Sequence, residues 1–328
     1  MRRREFIAAL GGAAAMPLVA RAQQDRMRRV QFLHGLAEHD QEAKARVAAF
    51  REALEILGWI EGRNITVDHR FSGGDIAQIQ AQAEAAISSA PDVIAASGSP
   101  VIAALKRRTR AIPIVFSVVN DPAGQGFVES LARPGGNITG FSYIDFPMIG
   151  KWLELLKDIA PGIRRITLMF NPETAPFYPV FLRDFGANSA ALGAAITEAP
   201  VLDVAQINAA LAALSREPAV GLIAAPDPFV NTQRGLIIKL AQQHQVPTLF
   251  GFRQHVRDGG LISYGPDSID IVRRSASYVD RILKGEKPSE LPVQSATRYE
   301  LAINLKTAKQ IGLTITPNVL ARANRVIR

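Results

Sequence analysis

Cysteine is absent from all 328 residues. Disulfides, thiolate-ligated zinc, iron–sulfur clusters, thiol catalysis and a lipid-modified N-terminal cysteine are therefore excluded. Long apolar runs are missing too, since no stretch reaches the ~18 uninterrupted apolar residues of a membrane-spanning helix. The motifs of the commonest nucleotide and hydrolytic chemistries are also lacking. There is no Gly-x-Gly-x-x-Gly after the first β-type run, no Gly-x-x-x-x-Gly-Lys-Ser/Thr, no His-Glu-x-x-His and no Gly-x-Ser-x-Gly. No cofactor is expected on this basis. The five histidines, His34, His39, His69, His244 and His255, are scattered. Only His34 and Glu38 share a helical four-residue spacing, and they fall in a predicted loop, so no metal is expected either.

What is present is ordinary globular composition, 48% hydrophobic and 21% charged, in a chain long enough for two domains. With 25 Gly and 20 Pro, disorder and collagen-like architecture are excluded. The net charge of +8 suggests nucleic acid until its location is considered. Arg2, Arg3, Arg4 and Arg21 against Glu5 place +3 in the first 22 residues and leave +5 for the rest. No basic stripe with interleaved aromatics follows, so no nucleic-acid partner is expected.

The first 22 residues read as an address. Arg3-Arg4-Glu5-Phe6-Ile7 precedes a short Gly/Ala-rich apolar run and then Ala20-Arg21-Ala22, a small-x-small cleavage site. The paired arginines look like a twin-arginine signal, used to export folded proteins. Cleavage near Ala22 would leave a periplasmic chain without membrane insertion.

Beyond residue 28, short β-type runs alternate with helical periodicity, the pattern of βα units and parallel sheets. Strands are expected at 30–33, 65–71, 93–96 and 114–118. Helices are expected over 76–88, 100–108 and a segment whose face carries Val47, Phe50, Leu54 and Leu57 before Gly58 stops it. After the turn-rich Arg133-Pro134-Gly135-Gly136 the same grammar repeats. Strands are predicted at 138–142, 166–170, 194–198, 220–224 and 248–250, with helices over 149–159, 180–192, 204–214 and 232–243. The tail is less regular: a strand at 261–264, a helix face at Val272, Ala276, Val279 and Leu283, extended chain over 291–305 and a short helix over 307–311. The fold class is therefore α/β, two similar doubly wound parallel-sheet lobes joined by hinge strands. Residues 28–141 plus about 266–290 are assigned to one lobe, and 142–265 plus about 291–328 to the other.

In such sheets ligands bind beyond the strand C-termini, where helix N-termini present free N–H groups. Ser97-Gly98-Ser99-Pro100 lies there and suits a carboxylate, or serves as a plain helix cap. Asp121 and Asp227, in Asn120-Asp121-Pro122 and Pro226-Asp227-Pro228-Phe229, would each cap a helix or receive a ligand ammonium. Phe229, Phe252 and Tyr264 flank strand ends as aromatic walls, and His34 is the expected extra polar contact.

Asn120-Asp121-Pro122-Ala123-Gly124-Gln125-Gly126-Phe127-Val128 followed by Leu131-Ala132-Arg133-Pro134-Gly135-Gly136-Asn137-Ile138-Thr139-Gly140 resembles the signature of the tryptophan/tyrosine-type ABC transporter substrate-binding proteins. Ser263-Tyr264-Gly265-Pro266-Asp267 and Ile303-Asn304-Leu305-Lys306-Thr307-Ala308-Lys309 resemble its later motifs. The resemblance implies a type I periplasmic binding fold with three hinge crossings and a ligand between the lobes. It further implies a monomer that serves an ABC permease of the inner membrane and performs no catalysis. The chain departs from the family at Phe252, where a Tyr is expected. The residues at the strand ends point to a small carboxylate with an apolar or aromatic body, amino acids first and aromatic or apolar acids or short amides next. An exported enzyme acting in the same cleft and a ligand-sensing component of a signalling system are the alternative functions.

Overall fold

The computed structural model describes residues 26–144, 148–189 and 193–328, the side chains of 184–189 excepted. The predicted signal segment lies outside the described residues, as does the end of the helix predicted over 180–192. The first lobe runs β1 (Arg28–His34), α1 (Gln41–Ile56), β2 (Ile65–Phe71), α2 (Ile76–Ser88), β3 (Val93–Ser97), α3 (Ser99–Arg108), β4 (Ile114–Val119) and β5 (Ile138–Ser142). These strands are all parallel, in the order β2-β1-β3-β4-β5. β3, β4 and β5 are buried along their whole length, as continuous apolar runs covered on both faces should be.

The second lobe repeats the plan. It runs α4 (Met148–Ile159), β6 (Arg165–Phe170), α5 (Tyr178–Ser189), β7 (Ala195–Pro200), α6 (Val204–Leu214), β8 (Val220–Ala224), α7 (Pro228–Thr232), α8 (Arg234–Gln243), β9 (Thr248–Phe250), α9 (Arg253–Arg257) and β10 (Ile262–Pro266). Its sheet is ordered β12-β11-β10-β9-β8-β6-β7. The parallel part, β7-β6-β8-β9-β10, has the same strand order as the first sheet, so two similar lobes are present. Between β10 and β11 lies α10 (Ser268–Leu283), which packs not on its own sheet but on α1 and on β3, β4 and β5. The chain then runs along β5, where Ser142 N donates to Gln294 O and Gln294 N to Gly140 O. It ends with β11 (Tyr299–Asn304), antiparallel to β10, then α11 (Leu305–Gln310), α12 (Pro317–Arg322) and β12 (Arg325–Ile327). The chain thus crosses between the sheets after Ser142, after Pro266 and before Tyr299.

Three local expectations differ from the structure. The helix predicted over 232–243 starts at Arg234, and a separate short helix that the sequence did not announce, α7, capped by Asp227 and closed at Gln233, precedes it. The extended stretch predicted over 291–305 holds a strand only from Tyr299. The apolar face of α1 is rotated: Val47 and Leu57 are half-buried, and the buried stripe is Glu42, Ala43, Arg46, Ala49, Phe50, Ala53 and Leu54. Glu42 and Arg46, one helical turn apart, offset each other's charge and so take places on the core side.

Candidate functional site

The two sheets point their strand C-termini at one another, and a cavity lies between them. The ends of β3 and β4 and the segments that follow β1, β3 and β4 contribute Gly35, Leu36, Ser97, Gly98, Ser99, Val118 and Asn120. Those after β6, β8 and β9 contribute Thr174, Phe177, Pro226, Asp227, Pro228, Asn231 and Phe252, and α1 contributes Arg46. In each lobe the lining brackets the point where strand order reverses, β1/β3 and β6/β8, the crevice where open α/β sheets bind ligands. The cavity has about 430 Å³ of atom-free space, solvent at its mouth included, yet only about 30 Å³ takes the centre of a water molecule. The lobes are therefore closed on each other. Asn120 Nδ2 donates across the junction to Pro226 O at 3.1 Å, and Arg234 Nη1 reaches Asp40 Oδ2 at 2.7 Å.

The walls carry unspent hydrogen-bonding capacity. Asn120 Oδ1, Asn231 Nδ2 and Arg46 Nη2 are buried without partners. Native proteins leave few such groups unpaired. Asn231 is oriented by its other atom, since Oδ1 accepts from His255 Nε2 at 2.8 Å and from Gln254 Nε2 at 3.2 Å. Val118 projects from a β-bulge in β4 with φ +55°, a strained backbone for a β-branched residue, and this places it on the cavity wall.

Of the residues expected from sequence, Ser97, Gly98, Ser99, Asp227 and Phe252 are brought together here. Gly98 is the N-cap of α3 with φ +100° and no side-chain cap, so the first turn, in which Pro100 carries no N–H, meets the cavity without a capping acceptor. Ser99 Oγ accepts from Gln125 Nε2 at 3.1 Å. Asp227 is 2% exposed and both caps α7 and lines the cavity. Its Oδ1 accepts from Val230 N and Thr174 Oγ1, and its Oδ2 from Asn171 N. Burial outweighs these bonds and pushes its carboxyl up to about 6.

The other four lie elsewhere. His34 is stacked between Phe32 and Phe71 at ring distances of 4.0 and 4.6 Å, with Nε2 3.0 Å from His69 Nδ1. Burial, then His69 and Arg46, push its pKa well below the usual histidine value, so it is a neutral core group. Asp121 closes its own turn by accepting from Gly124 N at 2.9 Å. Phe229 is half-buried and packs against the core of the second lobe. Tyr264 stacks on Tyr299 across the β10–β11 pair, and its carbonyl accepts from Trp152 Nε1. Arg46, Asn120, Thr174, Phe177 and Asn231 are lining residues that sequence reasoning passed over.

Among the described residues no group of three or more His, Asp or Glu is placed to hold a metal ion, and no helix is long and apolar enough to cross a membrane.

Two doubly wound lobes closed over a cavity at both of their strand switch points define a cleft-type solute-binding protein. Residues 33–327 match the family model described as ABC transporter substrate binding protein, and the chain belongs to that family. It is 27% identical over 280 residues, 85% of this chain and 79% of the other, to a protein of Clostridioides difficile described as a tyrosine-binding protein. The crystal structure of a conserved domain protein from Vibrio cholerae superposes with a TM-score of 0.84 at 30% identity, over 92% of this chain and all of that one. An ABC domain in complex with L-Trp from Streptococcus pneumoniae also gives 0.84, at 21% identity and the same coverage, a likeness of fold. Members of the family bind small-molecule ligands and work with ABC permeases.

Proposed function

We propose that the chain is exported to the periplasm, captures a small carboxylate-bearing solute between its lobes, and hands it unchanged to an ABC permease of the inner membrane. Amino acids stand first among the solutes. The supporting observation is the cavity itself, enclosed by both lobes and carrying one basic and one acidic side chain, Arg46 and Asp227, among apolar walls. A few placed polar groups in an otherwise apolar enclosure are what a small-molecule site requires. The tyrosine-binding relative supports the amino-acid class. The signal at residues 1–22, lobe boundaries near 141 and 266 and, later than the 291 expected, between Gln294, still paired with β5, and Tyr299, and action as a monomer are parts of the same reading.

A thermal-shift screen of amino acids, monocarboxylates, sugars and amides tests it, followed by uptake of the labelled hit in cells lacking the chain. Binding at 100 times Kd adds about 2.7 kcal/mol of stability, well within reach of such a screen. The expected hit is a carboxylate recovered unchanged after incubation, whose uptake depends on the chain. Chemical conversion of the hit, or uptake indifferent to the chain, contradicts the reading.

A further inference from the structure

Among the described residues Arg46 is the only cation lining the cavity. Its side chain is buried, and its donors are almost entirely unspent. Nε faces Glu42 Oε1 at 3.5 Å, Nη1 approaches Ser97 Oγ at 3.4 Å, and Nη2 has no partner. The two contacts lie at or beyond the outer limit of a useful hydrogen bond. A buried guanidinium charge needs a counter-charge or acceptors close by. Glu42 balances that charge and is itself held: Ser268 Oγ donates to Glu42 Oε1 at 2.5 Å. Ser268 is the first residue of α10, just past the second crossing between the sheets. The guanidinium is also set over the Phe252 ring, with Cζ 5.8 Å from its centroid. It is fixed from behind and open toward the cavity.

A second donor set converges there. The uncapped N-terminus of α3, a ten-residue helix, borders the same space at Gly98 and Ser99. Asp227 on the opposite wall repels an anion, so the negative end of any solute is directed to the Arg46 side. One guanidinium, with Asp227 nearby and no lysine, suits a single negative charge better than a phosphate dianion.

We propose that Arg46 is the specificity-determining anion anchor of this site, its Nη atoms and the α3 N-terminus receiving the solute's carboxylate, with Glu42 and Ser268 as its positioning residues. This rests on the solute-binding reading above. A carboxylate fills the open guanidinium donors with two oxygens, whereas the corresponding amide replaces one of them with an N–H group and leaves a donor unpaired.

Calorimetry with L-tyrosine, L-tryptophan, 3-phenylpropionate, the amides of all three, an aromatic phosphate monoester and neutral sugars tests the anchor. The wild type is expected to bind at least one acid a hundredfold or more tighter than its amide. Arg46→Met is expected to collapse that ratio toward one, and Arg46→Lys, with the charge but not the planar fork, to fall between. Because Arg46→Met strands Glu42, Arg46→Met with Glu42→Gln is run beside it, with melting curves to confirm folding. An acid bound equally well by wild type and the folded double variant overturns the anchor and leaves solute capture standing. A wild type that binds only sugars or amides, or no acid of the set, overturns the anchor together with the carboxylate reading. Preference for the phosphate ester overturns the single-charge assignment.

Discussion

Asp227 is a buried carboxylate whose hydrogen-bond donors all come from its own lobe, with no cation among its stabilising partners. Its pKa, raised from 3.8 to about 6, sets a sign. A carboxyl that holds its proton more tightly folded than unfolded contributes most below the unfolded value, and that contribution is lost as pH rises through the folded value. The stability of the ligand-free wild type relative to Asp227→Asn is therefore expected to fall between pH 4 and just above 6. The fall is about 3 kcal/mol at most, since each tenfold gain in proton affinity on folding is worth about 1.36 kcal/mol. Denaturant titrations of both proteins across that range check it, and a flat or rising difference contradicts it. Asp227 was legible because Asp between prolines after a β-type run has few uses. Arg46 was not, because on an amphipathic helix a charged residue ordinarily faces solvent. The available clue was Glu42–Arg46 at four-residue spacing in register with Ala49, Phe50, Ala53 and Leu54. His34 misled for the converse reason: a polar residue ending a strand points to a cleft or to a neighbouring strand, and only the pairing with β2 sets it beside His69 and Phe71.

At the scale of elements, the parallel strands and long helices were legible because each has enough residues to display a period, and Gly or Pro marks its ends. Of the five- and six-residue helices, α11 was anticipated over 307–311 but α7, α9 and α12 were not, since fewer than two turns give little periodicity to read. The register of β4 against β5 depends on a feature that no pattern announces. A side chain at Gly140 would collide with the backbone of Phe116 on the neighbouring strand. Gly140→Ala is expected to cost at least about 2 kcal/mol of stability through overpacking. Gly136→Ala, where a methyl group meets nothing within 4 Å, is expected to change it by less than about 0.5 kcal/mol. Equal melting temperatures for the two variants would refute the close approach.

For the whole molecule, the two-lobe plan followed from the repeated βα grammar, since parallel strands need crossover helices and each set of about five units fills one sheet. The closure of the lobes did not, because its contacts join residues remote in sequence. Arg234 on the second lobe spans the junction, pairing with Asp40 of the first lobe and Asp258 of its own. Thr232 Oγ1 donates to Gly73 O, and Pro228 fits against Gly35 and Gly74. The Arg234–Asp40 pair is mostly buried and favours only the closed form, so Arg234→Met is expected to speed solute release about fivefold, the equivalent of about 1 kcal/mol. The difference should shrink at high salt, which screens such pairs. Stopped-flow dissociation at two ionic strengths checks this, and release unaltered by the substitution contradicts it.

The central claim is that the solute is held between lobes that close upon it. Small-angle X-ray scattering of the chain, titrated with the tightest acid from the screen, tests this directly. Differential contact with both lobes must shift the population toward the closed form. The expected result is a fall in the radius of gyration that saturates at one solute per chain and ends on the profile of the closed arrangement described above. Stoichiometric binding with no compaction, or an end point more open than the starting one, would contradict the account.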